Sequence, residues 1–329
     1  MPIRLADTAL MGLSHTGNMH IKGVLRSASS CILAALSLIP AILFAQVGNS
    51  GMAFLKLGVS GRGVSMADAM AGSVDGAAAT YYNPAGLAPR TGNNGTQLMF
   101  MHKEWIQDTR MEFLGGSGPL SENDALGIAV VSTTVSDIEI RTRPGAPEGT
   151  FTARNFSAGA SYGRRFSDNV RVGVTLKFLY EKILVDEASG FAFDFGTQIA
   201  TPVENLTVGA VVANLGKLNA LETEATALPA LARIGPAYTF ALSDDLYRFL
   251  LAADLVHIFP EGKTYFNAGT EVNFNRIASG RVGYQFGSTG RGFTAGVGLA
   301  YSVFALDYAY APLSSDLGNT HTITLALNL

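Results

Sequence analysis

From position 96 to the end of the chain, large apolar side chains recur at every second position. Val170, Val172, Val174, Leu176, Phe178 and Tyr180 alternate with Arg171, Gly173, Thr175, Lys177, Leu179 and Glu181. The same beat runs through 191–196, 249–256, 293–301, 304–310 and 322–329. Successive side chains of a β-strand point to opposite faces, so this period predicts strands. One face is large and apolar. The other is Gly, Ala, Ser or Thr with an occasional charge. A soluble sandwich also alternates, but its polar face meets water and should be rich in Lys and Glu. A small-residue face fits a packed or narrow lumen better, with lipid against the large face.

The pattern predicts about fourteen strands, an even number as closed bacterial barrels require. They fall near 96–104, 111–118, 125–134, 155–164, 170–184, 190–200, 206–214, 232–240, 248–257, 265–274, 277–286, 291–301, 303–311 and 320–329. Short polar turns at 121–124, 167–169, 201–205, 243–245 and 275–276 form one set of connections. The two longest, 135–154 and 215–231, belong to the other set. With the N-terminus in the periplasm, the short set is periplasmic and both long loops lie outside.

Composition narrows the class. The chain is 48% hydrophobic and 15% charged, with 37 glycines. An ordinary soluble domain carries about a quarter charged residues, so much of this surface is expected to avoid water. No apolar run after Phe44 is long enough for a spanning helix, which leaves a closed all-β barrel in the outer membrane, with membrane lipid as its partner. A net charge of −3 argues against nucleic acid. At the N-terminus, Lys22 and Arg26 precede the apolar run 31–44, and Ala45 follows it. That order predicts a secretory signal cut after Ala45, with Met19 as a better placed start than Met1. The run is short for a membrane anchor. Cys31, the single cysteine, falls in this leader, so no disulfide or cysteine metal site is expected in the mature chain. No metal and no cofactor are expected.

Between leader and strands lies GMAFLKLGVSGRGVSMADAMAGSVDGAAATYYNPAGLAP, residues 51–89. Two short helices are expected here. One covers 66–71 with Ser65 as cap, the other 76–82 with Asp75 as cap. Pro84 lacks a donor and turns Asn83 away from helix, which ends the second one. Such short, small-sided helices need a cavity to sit in. The chain therefore divides into a leader at 1–45, a plug segment at 46–95 and a barrel at 96–329. Asp75, Asn83, Pro84 and Gly86 form the plug motif. The Asn83-Pro84 pair either contacts a ligand or stops the helix and aims the chain at the first strand. The second follows more directly from the missing N–H.

Charges expected to face the lumen are Arg171, Lys177, Glu181, Asp194, Arg233, Asp254, Glu271, Arg281 and Asp307. They either line a polar track for a ligand or pair with one another and with the plug. Unpaired charge in a narrow plugged lumen is costly, which favours pairing. Catalysis finds little support. A barrel lipase needs Ser, His and an orienting Asn or Asp together. His102, His257 and His321 have no spacing that joins them to Ser132 or Ser161. Gly58 to Gly63 does not lie between a strand and a helix, so it is no phosphate loop.

The plug segment resembles the PorV/PorQ family, within the group of barrels related to the FadL fatty-acid transporter. The matching residues are Phe54-Leu55-Lys56-Leu57-Gly58-Val59, Arg62-Gly63, Met66, Asp75, Ala77 to Ala79, and Tyr82-Asn83-Pro84-Ala85-Gly86-Leu87. Arg62-Gly63 departs from the Arg-Ala expected there. The resemblance implies a fourteen-stranded barrel whose N-terminal segment plugs the lumen. It also implies a shuttle role in type IX secretion: binding the C-terminal signal domain of secreted cargo and handing it to other secretion components. Arg141, Arg143 and Glu148 in one long loop, with Glu222 and Glu224 in the other, would then meet the partner, unless they are simply solvated. The alternative is a FadL-like passive transporter of a hydrophobic ligand, with an apolar pocket beside Tyr81 and Leu87 and a lateral opening in the wall. A purely structural barrel is the third reading.

Overall fold

The computed structural model describes residues 50–89, 95–106, 108–219, 227–314 and 317–329. The strands are β1 Gln97–Glu104, β2 Arg110–Pro119, β3 Asp124–Ile140, β4 Gly149–Arg165, β5 Val170–Ile183, β6 Asp186–Ala200 and β7 Leu206–Leu218. They continue as β8 Leu231–Leu242, β9 Tyr247–Ile258, β10 Lys263–Phe274, β11 Ala278–Phe286, β12 Phe293–Tyr301, β13 Phe304–Pro312 and β14 Asn319–Asn328. Each pairs antiparallel with its sequence neighbours, and β1 closes on β14, giving a fourteen-stranded barrel without a free edge. The period-two pattern sorts cleanly between the faces. Phe191, Phe193, Phe195, Val297 and Leu325 are exposed on the skin, while Leu179, Ala192, Asp194 and Thr324 are buried inside. Only hydrocarbon covers such a skin at low cost.

Both ends of the barrel chain, and the turns 120–123, 166–169, 201–205, 243–246, 275–277 and 302–303, lie at one end, here called the termini end. Positive φ at Asn205, Ser243, Asp244, Asp245, Asn275, Arg276 and Ser302 tightens these turns. Asn and Asp tolerate that conformation because their short polar side chains bond locally. The longest connections, 141–148, 219–230, 287–292 and 313–318, share the opposite, loop end with the shorter turns 105–109, 184–185 and 259–262.

The structure corrects the expected loop at 135–154. β3 runs on to Ile140 and β4 begins at Gly149, so a ribbon replaces the loop. β2 stops at the Arg110–Thr134 rung and β5 near the Arg154–Lys182 rung, so the ribbon projects past both neighbours. A bulge between Val135 and Ile138 resets its register. The loop at 215–231 also shortens, because β7 continues to Leu218.

The plug segment fills the lumen with short turns. α1 spans Gly61–Ser65 and is capped by Ser60, whose Oγ accepts from the Gly63 N–H at 3.0 Å. The expected helix at 66–71 capped by Ser65 does not form. Ala67 and Asp68 adopt φ of 53° and 61°, and the Met70 and Ala71 N–H groups donate to Asp254 of β9. A wall carboxylate thus takes the donors that a helix would have used internally. The second expected helix is broken into a 3-10 turn, Gly76–Ala78, and α2, Ala79–Tyr82. Asp75 precedes the turn but makes no cap bond; the Ala77 N–H donates to Gln97 instead, at 2.8 Å. The main core lies where Met52, Phe54, Leu55, Val59, Met70 and Val74 of the plug meet Met99, Met101, Met111, Phe113 and Leu179 of the wall.

A plugged lumen with a cavity at its mouth

The plug backbone approaches the wall closely. At Gly173 an added Cβ would lie 2.2 Å from the Pro84 carbonyl carbon, and at Gly209 1.9 Å from the Ala71 oxygen. The motif residues sit at these approaches. Asn83 both ends α2 and starts a 3-10 turn, Pro84–Leu87, with its Oδ1 accepting from the Ala85 N–H at 3.2 Å. Its Nδ2 donates to Ala71 O at 2.8 Å and to Thr197 O of β6 at 3.0 Å. The motif therefore stops a helix, as the missing proline N–H implied, and also fastens plug to wall. Gly86 packs under the Val74 carbonyl. Asn83→Ala should remove three hydrogen bonds, although Ala71 O keeps Gln198, and lower unfolding stability by about 2 kcal/mol, read as the midpoint shift in denaturant; Asn83→Ser should recover part of it.

The lumen charges assemble in three groups. Lys177 contacts Asp194 at 2.6 Å and donates to Asn214 Oδ1 at 2.9 Å, while the Asn214 N–H donates to Asp194. These bonds hold the bulge between β6 and β7. Arg281 lies between Glu271 at 2.5 Å and Asp307 at 2.6 Å, and Arg62 of the plug donates to the same Glu271 at 2.9 Å. Arg233 donates to the Asp68 carbonyl at 2.9 Å and stands 3.8 Å from Asp254. Arg171 is half-buried on β5, and Glu181 is buried there without an ion pair among the described residues. Asp75 lines the cavities at the termini end beside Arg62.

Sequence reasoning passed over the plug's other electrostatic anchors. Asp68 accepts from Arg291 of the 287–292 loop and from the Tyr82 hydroxyl, both at 2.7 Å. Burial pushes the Asp68 carboxyl up, but Arg291, Lys103, the Tyr82 hydrogen bond and Arg233 outweigh it and hold it below its ordinary value. Lys103 of β1 donates to the Gly58 carbonyl. Glu261, in the loop between β9 and β10, accepts from Ser50 at 2.8 Å and from Lys56, so the start of the plug is strapped to the loop end. Burial raises its carboxyl, but those two hydrogen bonds, with Lys56 and Lys263 nearby, leave it below the usual 4.5. A depressed carboxyl contributes stability above its unfolded value and loses it as pH falls through the folded one. Protease cleavage near Ser50 should therefore stay slow at neutral pH and speed up below about pH 4.5, the ordinary glutamate range, and Glu261→Gln should be fast at both.

At the loop end a cavity of about 370 Å³ opens between plug and wall. Leu57, Trp105, Ile106, Leu231, Val256 and Ile258 give it apolar walls, and Lys56, Lys103, Arg233, Lys263 and Arg291 stand among them with Asp68 and Glu261. Two further cavities, about 340 and 220 Å³, the first mainly polar, lie toward the termini end and share Arg62, Asp75 and Glu271. The plug stands between the two levels. The pocket expected beside Tyr81 and Leu87 is not where it was placed. Tyr81 borders a crevice of about 20 Å³, because its hydroxyl donates to Leu57 O at 2.7 Å and Lys177 covers its ring at 5.7 Å. Leu87 borders a cavity of about 160 Å³ near Gln97 and Asn328. The β8–β9 ladder skips from Ile234–Leu255 to Ala237–Ala252. Pro236, exposed on the skin, has no N–H to give there. This weak seam lies just below the mouth cavity, where Arg233 and Val256 line it.

Of the loop residues, Arg141 pairs with Glu139 at 2.7 Å, Glu148 accepts from Thr142, and Arg143 is exposed, all on the projecting ribbon. Glu222 and Glu224 lie outside the described residues, as does the leader.

No family model matches the chain, and no curated protein matches it. Solved structures do. The Pseudomonas putida toluene transporter TodX aligns with a TM-score of 0.55 at 12% identity, over 87% of this chain and 98% of that one. The chain has the fold of an outer-membrane barrel. A Pseudomonas aeruginosa FadL homologue aligns at 0.54 and 10% identity, over 82% of this chain and 98% of that one. A TodX ΔS2S3 mutant, described as a monoaromatic hydrocarbon channel, aligns at 0.52 and 11% identity over the same shares. Outer-membrane barrels carry short turns on the periplasmic side, so the loop end faces outward.

Proposed function

We propose that the chain is a passive outer-membrane transporter of small hydrophobic molecules, exported by a leader cut after Ala45, with 46–95 as plug and 96–329 as barrel. The observation that carries this is the apolar-walled cavity at the outward mouth, closed beneath by the plug. Its size suits a small organic molecule, which would lie against the apolar walls between the charged side chains that border them. The barrels it resembles include one named for toluene and one for monoaromatic hydrocarbons, which supports the same class. Passage inward needs the plug to shift or the seam at Pro236 to part. The role is binding and passage, without a reaction.

Trp105 is the single tryptophan and lines the cavity, so it reports occupancy. Toluene added to the purified protein in detergent should change Trp105 emission saturably, and Leu231→Phe combined with Val256→Phe, which fills the cavity without adding a second tryptophan, should abolish the saturable part. Uptake of labelled toluene by cells should follow the same order. A linear response that is equal in both proteins would defeat the proposal.

The projecting ribbon supports a second reading, the type IX shuttle, in which Arg141, Arg143 and Glu148 contact the C-terminal domain of cargo. Deleting 135–154 should then abolish cargo capture while the barrel still folds. Capture that survives the deletion would end that reading.

A further inference from the structure

The skin of β4 to β7 changes character near the loop end. Below, it is apolar without interruption through Val172, Val174, Leu176, Phe193 and Phe195. Above come aromatics: Phe178 and Phe191 pack edge to face with centroids 5.6 Å apart, with Tyr180 on the next outward rung. Aromatic side chains of this kind mark the membrane–water boundary. Three cations stand by them, two beyond the aromatics and one level with Phe191. Arg154 and Lys182 lie opposite each other across the β4–β5 ladder, both facing outward. Lys217 of β7 lies opposite Phe191 and is exposed. Glu187 contacts Lys182 at 2.5 Å, while Arg154 and Lys217 have no hydrogen bond or ion pair among the described residues.

Like charges directly opposite one another in a sheet repel. Here the pair sits at the depth of the outer-leaflet headgroups, with one acid on Lys182 and a second lysine, Lys217, two strands away. An anion between them removes the repulsion. We propose that Arg154, Lys182 and Lys217 hold the phosphates of a phosphorylated saccharide lipid of the outer leaflet, its acyl chains lying along Phe178, Phe191 and Leu176. Phosphate suits this site because a guanidinium meets two of its oxygens in parallel while the ammonium groups act as point charges. Glu187 holds Lys182 upright at the rung where it faces Arg154. The inference rests on the barrel and its orientation, and is independent of what the lumen carries.

The test uses the full mature chain in nanodiscs, with diphosphoryl lipid A as probe, and reads bound lipid by native mass spectrometry and thermal unfolding by heat-modified gel mobility. Wild type should retain the probe and unfold at higher temperature with it than with the dephosphorylated lipid. R154Q/K182Q/K217Q should bind about tenfold more weakly, the scale of one lost charge-assisted bond, and lose that difference. K182R/K217R should keep it, which separates charge from fold. Equal binding in wild type and the triple glutamine variant overturns the proposal. So does equal stabilisation by dephosphorylated lipid, and so does full stabilisation by inorganic phosphate alone, which would make the site a free-anion site.

Discussion

Glu271→Ala should loosen the plug and turn a closed barrel into a conducting one. The Glu271 carboxylate accepts from Arg62 Nε at 2.9 Å and Nη2 at 3.2 Å, and from Arg281 Nε at 2.5 Å. Arg62 belongs to the plug and Arg281 to the wall, so one acid joins the two. Removing it leaves two guanidiniums facing each other in a narrow lumen. Breaking a buried pair by deleting one partner costs about 3–5 kcal/mol. Arg281 keeps Asp307 and the Arg62 side chain is 27% exposed, so about 3 kcal/mol, the lower end, is expected. Planar-bilayer recordings should show open events in the variant that wild type lacks. Arg62→Ala combined with Glu271→Ala removes the stranded cation and should recover much of the stability while leaving the plug untethered. Conductance should therefore stay high in the double variant as stability returns. A silent Glu271→Ala barrel would mean that the other anchors, Asn83, Asp254, Asp68 with Arg291, and Glu261 with Lys56, hold the plug without it.

The strand count and the outward faces of the strands with a clear beat were legible because a closed barrel in lipid imposes one rule at each position. Phe191 must face out if Ala192 faces in. The ribbon at 135–154 was hidden for the complementary reason. Beyond the membrane the rule lapses: Asp137, Glu139, Thr150 and Thr152 meet water whether paired or not, so the short beat of Ile138 and Ile140 carries no lipid-facing side that would mark it as strand. Within the plug, the stop at Pro84 was readable from the missing N–H, whereas the helix expected at 66–71 failed because Asp254, nearly two hundred residues later, accepts its donors. No local signal carries that. Asp68 offered a usable clue. It is the single acid between Gly51 and Val74, in a segment otherwise built of small and apolar residues. A lone carboxylate in such a stretch demands cations, and Arg291 and Arg233 were among the few that the topology allows. The cavity was misplaced for a similar reason. Tyr81 was expected to line a void, but its hydroxyl bonds to Leu57 O and folds the ring into the gap.

Gly209→Val should have the largest effect of any single change that leaves charge untouched. The Ala71 carbonyl rests directly on this glycine, and even the first added carbon would lie 1.9 Å from its oxygen. That oxygen also accepts from Gln198 of the wall at 3.0 Å, and Asn83 beside it donates to Thr197 O of β6 at 3.0 Å, so the plug cannot retreat without straining both bonds. Overpacking costs about 1–3 kcal/mol, and each lost buried hydrogen bond adds about 1 kcal/mol or more. The barrel ladder itself has no reason to fail, since valine is a good strand residue. The loss should therefore fall on the plug. Limited proteolysis should cut 71–89 in the variant while the barrel keeps its heat-modified gel mobility. Gly280→Val is the matched control, because a Cβ there meets nothing within 4 Å and faces the membrane. If both variants resist protease equally, Ala71 does not sit against β7 and the seating of the plug is different. If both are cut equally, valine in any strand disturbs the barrel and the close approach is not the cause.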